Sequence, residues 1–334
     1  MAEDFFLLIQ PHKLSSRPIK LFEGMITRRN IRVKVMQVLY QLESGETTAD
    51  ADAIKILENR LDQSPRLLTY LIYLLTEVAR YAEKDVNIKA AKHLVTKEDK
   101  NINTKIAGNT ILWTILEHHS YTQAMAKYKF SFDNTQDIVR KVYEDLVVSE
   151  KYKQYIQEQS RDNKNEKEIL SFIFSDLMLP GEVFISHIEE NFINWDDDAE
   201  MLVQLMTGLL QKPSALNLQQ MPDAEKKTFA KELLQTVINK KEHVTELIRV
   251  RLKNWDPDRI AVLDMILMQM GVCEFLYFPT IPPKVTINEY IDLAKDYSTT
   301  QSGHFVNGIL DGIHKDLVAN NKIYKTDFKS KKAN

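Results

Sequence analysis

One run constrains the fold of this chain more than any other: Ile260-Ala261-Val262-Leu263-Asp264-Met265-Ile266-Leu267-Met268-Gln269-Met270-Gly271-Val272-Cys273-Glu274-Phe275-Leu276. It is apolar on nearly every side of a helix, which predicts a helix surrounded by other helices. Its length approaches the roughly 18 apolar residues that suggest a membrane span. Asp264, Gln269 and Glu274 interrupt it, so a buried core helix is the better reading. Asp256 is placed to cap it, Pro257 suits the first helical position, and Asp258 suits the positive end of the dipole. Pro279, Pro282 and Pro283 stop it.

Two more helices follow. Thr286 and Glu289 read as a capping box, and Ile287, Tyr290, Ile291 and Ala294 then recur at helical spacing. The polar turn 298–303 ends that helix. Phe305, Val306, Ile309, Leu310, Ile313 and Leu317 write the next. Gly308 inside it costs about 1 kcal/mol against alanine, which predicts close approach by a neighbouring helix.

These residues carry a resemblance. Pro282-Pro283-Lys284-Val285-Thr286-Ile287-Asn288-Glu289-Tyr290-Ile291-Asp292-Leu293-Ala294-Lys295, followed by Ser302 and Phe305-Val306-Asn307-Gly308-Ile309-Leu310-Asp311, resembles the C-terminal signature of the NusB transcription antitermination family. Both halves stand in order at the family's separation. The resemblance implies an all-α fold: a NusB-like helical bundle core, here carrying a large helical insertion.

The rest of the chain is consistent with that class. Glycine and proline are scarce, at 9 and 10 of 334 residues, which favours helices over a turn-rich β fold. The formal net charge of −3 places any RNA site in a local basic patch. Cys273 is the only cysteine, so no intramolecular disulfide or cysteine-built zinc cage can form. It reads as a buried, inert thiol. The N-terminus has no basic stretch leading into a long apolar one, and a cytoplasmic location is expected.

Residues 1–24 have no helical period. Met25 looks like a family start, so 1–24 read as a disordered arm or a misassigned start. The first strong helix runs over 27–44, capped by Thr27, with Ile31, Val35, Val38, Leu39 and Leu42 on its apolar face. Arg28, Arg29, Arg32 and Lys34 put four cations within two turns, at the wrong end for the helix dipole. That placement asks for an anionic partner; the alternative is a solvated basic face.

In NusB-like proteins an arginine-rich helix start of this kind helps bind the boxA segment of ribosomal RNA leader transcripts. The residues matching by position are Arg28, Arg29, Arg32, Gln37 and Tyr40. Asn30 stands where many relatives carry a third arginine. Guanidinium groups pair with phosphates bidentately, and Tyr40 and Phe305 offer rings for base stacking or, alternatively, for the core. Ser302 joins this RNA-binding set through the signature. The resemblance also places the apolar helix on the surface that binds NusE, a small-subunit ribosomal protein. Asp264, Met268 and Gln301 are the expected contacts there, with an intramolecular bond as the alternative for Asp264.

Residues 46–220 read as the insertion, with helices over 51–61, 65–92, 111–129, 135–159, 169–178, 183–193 and 199–210. Polar or charged joins cover 96–104 and 161–168. A stripe over 226–253 is interrupted by Asn239-Lys240-Lys241-Glu242, which allows two shorter helices. The core is then assembled from 25–45 and 221–320, and 321–334 reads as a basic disordered tail.

No phosphate-binding glycine loop is present. Adjacent His118 and His119 make a poor metal pair, and Asp196-Asp197-Asp198 reads as an N-cap rather than a calcium loop. No cofactor, metal, membrane or catalytic role is expected. The expected partners are boxA-like single-stranded RNA, NusE and the RNA polymerase antitermination complex. A protein-only interaction module is the alternative. A ribosomal RNA methyltransferase bearing a NusB-like domain would need an α/β domain and a cysteine nucleophile, and this sequence offers neither the strands nor a suitable cysteine.

Overall fold

The computed structural model describes residues 26–45, 50–91, 103–252 and 260–326. Among them every regular element is helical: α1 Arg28–Glu43, α2 Asp50–Ala90, α3 Thr110–Leu116, α4 His119–Tyr128, α5 Thr135–Val148, α6 Glu150–Gln157 and α7 Asn163–Phe172, which continues as a π-helical turn Ile173–Met178. Then come α8 Glu182–Asn191, α9 Trp195–Gln211, two short 3₁₀ turns, α10 Ala224–Arg251, α11 Val262–Tyr277, α12 Pro283–Tyr297 and α13 Ser302–Ala319. No single helix among the described residues is long and apolar enough to cross a membrane. The fold is all-α.

The chain divides into two units, with boundaries at Leu61/Asp62, inside α2, and at Pro222/Asp223. The unit Asp62–Pro222 is built from the remainder of α2 and α3 to α9. Its core includes Leu67, Leu71, Leu75, Leu146, Leu170, Phe174, Trp195 and Leu202. Buried polar groups there are tied to one another. Glu166, fully buried, accepts from the Thr110 amide at 2.6 Å and the Tyr155 hydroxyl at 2.8 Å. The Tyr70 hydroxyl lies 2.7 Å from His187 Nε2, inside a cluster with Phe130, Phe132 and Phe192.

Several expected boundaries in this unit are corrected. The two helices expected over 51–61 and 65–92 are one, Asp50–Ala90, with Pro65 inside it. A mid-helix proline costs about 3 kcal/mol, but Leu57, Leu61, Leu68 and Leu75 are all buried along α2, and that burial outweighs the cost. Residues 111–129 form two helices, because the His118 ring accepts from the Ser120 amide and starts α4. Residues 135–159 also form two, split where the Ser149 hydroxyl caps α6. The aspartate triplet lies within the first turn of α9 rather than capping it. Asp198 is buried and accepts from Ser64 Oγ at 2.6 Å and Asn194 Nδ2 at 2.7 Å.

The other unit comprises α1, the first turns of α2, and α10 to α13. Helix α11 packs against α1, α10, α12 and α13. Residues 266–273 of α11 are all buried, as an apolar perimeter requires. The expected start at Asp256-Pro257-Asp258 lies outside the described residues; α11 itself begins at Val262 without a side-chain cap. Cys273 is fully buried, and burial pushes its thiol up to about 12.

Three further readings change here. Helix α10 is continuous, because Asn239 to Glu242 form its exposed side while Val237 and Val244, two turns apart, stay buried. Helix α12 starts at Pro283, not at a Thr286 capping box. Thr286 is instead fully buried, donating to Glu274 Oε2 at 2.9 Å. The segment 322–326, expected to be disordered, is docked on the C-terminal end of α11. Lys325 Nζ donates to the Glu274 and Phe278 carbonyls, each at 2.8 Å, adding a charged donor beside the Phe278 and Ile281 amides that also bond them, at the helix end where a cation is favoured. Residues 1–24 and 327–334 lie outside the described residues.

Gly308 is exposed, and a Cβ added there meets nothing within 4 Å. The close approach falls at Gly271, where an added Cβ would lie 2.9 Å from Leu310 Cδ2. Gly308→Ala is therefore expected to stabilise the protein by about 0.5–1 kcal/mol through helix propensity alone. The check is a denaturant melt, and a loss of stability would mean that the position is sterically filled.

Candidate nucleic-acid interface

Helix α1 opens with a closed capping box: the Thr27 side chain accepts from the Asn30 amide, and the Asn30 side chain accepts from the Thr27 amide. Asn30, the residue that departs from the arginine-rich pattern, therefore stabilises the helix start. With the first turn fixed, the four cations separate by helical phase. Arg28 and Arg29 remain part-exposed, whereas Arg32 and Lys34 are only 2% and 1% exposed.

Arg28 and Arg29 meet anions within the same unit. Arg28 Nη2 lies 2.7 Å from Glu225 Oε1 on α10, and Arg29 Nη2 lies 2.5 Å from Asp296 Oδ2 on α12. The Arg28 guanidinium also sits over the Phe229 ring, 5.5 Å from its centroid. The anions that the cationic helix start calls for are thus supplied first by the protein itself.

Arg32 departs from the expected surface role. Its Nε donates to Glu274 Oε1 at 2.7 Å and its Nη2 to Glu274 Oε2 at 3.1 Å, a bidentate pair, while Nη1 reaches Glu289 Oε2 at 3.1 Å. Glu274 is fully buried and also accepts from the Tyr290 and Thr286 hydroxyls, both at 2.9 Å. Burial lowers the Arg32 pKa, but the two carboxylates outweigh it and hold the guanidinium charged well above its usual range. Burial, and then Glu274, raise the Tyr290 hydroxyl well above its ordinary value. A buried charge needs partners of this kind, and the assembly ties α1 to α11 and α12. The available sequence signal is Glu274 itself, an acid inside an apolar run. The partners Glu225 and Asp296 have no such signal, because exposed carboxylates are common.

Gln37 is half-buried and accepts from Arg60 Nη1 at 3.2 Å, which links α1 to α2. Tyr40 is 48% exposed. It stands twelve residues beyond Arg28, about 18 Å along the helix at 1.5 Å per residue. The two arginines and this ring therefore line one helix at a spacing of several nucleotides, too far apart to grip a single one.

The expected partner face is more enclosed than predicted. Met268 is fully buried and Asp264 is 5% exposed, because α11 is surrounded by helices of its own unit. Ser302, 1% exposed, donates to Asp264 Oδ2 at 2.8 Å and accepts from the Thr299 amide at 3.2 Å. Asp264 Oδ1 is buried and has no hydrogen-bond partner among the described residues. Together they pin the 298–302 turn, which presents Gln301 as an exposed residue just before α13. Phe305 is half-buried on the next turn. Among the described residues, no three His, Cys, Asp or Glu side chains are grouped to hold a metal.

The NusB family model matches residues 192–315. The chain is 44% identical over 94 residues to the transcription antitermination protein NusB of Methylacidiphilum infernorum, covering 28% of this chain and 66% of that protein. It is 39% identical over 104 residues to the NusB of Salinibacter ruber, covering 31% and 65%, and equally so to that of Desulfatibacillum aliphaticivorans, covering 31% and 73%. The chain thus spans about two thirds of the length of these curated relatives. A solved structure of T. maritima NusB is 30% identical, with 39% of this chain and 85% of that one covered, at a TM-score of 0.28. The chain belongs to the NusB family.

Proposed function

We propose that this protein is a transcription antitermination factor that binds boxA-like single-stranded RNA through the start of α1, without catalysis. Arg28 and Arg29 contact phosphates, and Tyr40 and Phe305 supply stacking rings. Gln301 meets NusE on a turn that Asp264 and Ser302 hold in place, within the RNA polymerase antitermination complex. Arg32, Gln37 and Met268 serve this surface from beneath it. The NusB-like core takes in 26–61 and 223–326, and because the family match reaches back to residue 192, the insertion is the set of helices before that point. The observation that carries the reading is a pair of part-exposed arginines on a capped helix start, in a chain of this family.

The test is fluorescence anisotropy with a labelled boxA-type RNA from the same organism's ribosomal leader, with and without NusE, at two salt concentrations. Arg28→Ala combined with Arg29→Ala is expected to weaken binding at least tenfold, since hydrogen bonds to charged groups contribute about 1.5–3 kcal/mol each. The salt slope should fall by about 0.7 for each phosphate that the protein no longer neutralises. Unchanged binding by the double variant would remove the helix start from the interface. Absence of binding by the native protein would favour a protein-only interaction module.

A further inference from the structure

We propose that Glu225 and Asp296 are built-in competitors of RNA at the start of α1, and that they set how tightly the arginine pair grips phosphate. This rests on the RNA-binding reading above and assigns two residues that oppose it. Each arginine is paired with one carboxylate from a different helix, α10 for Arg28 and α12 for Arg29. The four charges sum to zero, so a phosphate gains its arginine only by exchanging with a carboxylate that stays nearby.

The pairs are suited to exchange. Their side chains are 39% and 77% exposed for Arg28 and Glu225, and 36% and 55% for Arg29 and Asp296. Exposed ion pairs are weak and screened by salt. The Arg32–Glu274 pair, four residues further along α1, is the opposite case: both ends are buried and multiply bonded. One helix start thus carries a locked pair beneath and two exchangeable pairs above. Glu225 is not needed to place Arg28, because the guanidinium also rests over the Phe229 ring. Removing the acid frees the charge without releasing the side chain.

The experiment compares native protein with Glu225→Gln combined with Asp296→Asn, using the same labelled RNA across a salt series. The double variant is expected to bind about tenfold tighter at low salt, with the gap narrowing as salt rises and the melting temperature little changed. The control is Asp292→Asn on α12, an acid that pairs with Lys295 at 3.3 Å and, among the described residues, with no arginine. It should change affinity far less. Unchanged or weaker binding by the double variant, or an equal gain from Asp292→Asn, overturns the proposal. The Arg28→Ala, Arg29→Ala protein in the same titration separates the two levels. If it binds like the native protein, the RNA-binding reading fails and this proposal with it; if it binds weakly while the acid variant shows no gain, only the competition fails.

Discussion

Arg32→Ala is expected to destabilise the core unit by about 3–5 kcal/mol, the usual cost of removing one partner from a buried ion pair. The loss arises from what is left behind. Glu274 is fully buried, and without Arg32 its carboxylate keeps, among the described residues, the hydroxyls of Tyr290 and Thr286 as hydrogen-bond donors. The check is a denaturant melt together with hydrogen exchange of the α11 amides, which localises the damage to the helix carrying Glu274. In a Glu274→Ala background the same substitution should cost much less, because the charge that Arg32 serves has gone. Additive losses would show that the pair is not coupled. RNA affinity, measured where the variant is still folded, should change little, in contrast to Arg28 and Arg29. A large affinity loss would return Arg32 to the RNA surface.

Gly271→Val is expected to be the most damaging small-to-large change on α11. An added Cβ already lies 2.9 and 3.0 Å from the two Leu310 methyls and 3.3 Å from Tyr290 Cδ2. Leu310 and Tyr290 are both fully buried, so neither can swing away. Overpacking of this kind costs about 1–3 kcal/mol, and displacing the Tyr290 ring strains its 2.9 Å bond to Glu274 as well. Gly271→Ala should show a smaller loss in the same direction. A melt that leaves Gly271→Val as stable as the native protein would show that α11 and α13 have room to move apart.

Much of this architecture is legible in the chain. The apolar perimeter of 260–276 calls for burial on all sides, and residues 266–275 of α11 are enclosed accordingly, while Val262 at its start is 50% exposed. The stripes of α10, α12 and α13 also read directly, since helical period is a local property. Boundaries read less well. Pro65 looks like a break, yet a helix runs through it, because buried leucines on both sides supply more than the proline removes. Thr286 and Glu289 match a capping box in spacing, but they turn toward Glu274 and Arg32 instead. Gly308 reads as the glycine of close approach, whereas Gly271 packs tightly and Gly308 does not. Both fit the same propensity argument, and only the packing distinguishes them.

Of the cationic helix start, the residues and their crowding are visible in sequence, but their fates are not. Arg28, Arg29 and Arg32 fall within five positions of one another, and Asn30 between them looks like a missing charge. In the structure Asn30 closes the cap, and Arg32 turns inward. Arg28 and Arg29 remain part-exposed beside carboxylates. Period, caps and proline stops act over a few residues, so the sequence alone determines that this chain is helical, which stretch must be buried and where cations crowd. Glu225, Glu274 and Asp296 lie some two hundred residues or more along the chain from the arginines they pair with. Only tertiary packing brings them together, and so only it decides which arginine stabilises the core and which is left to meet a ligand.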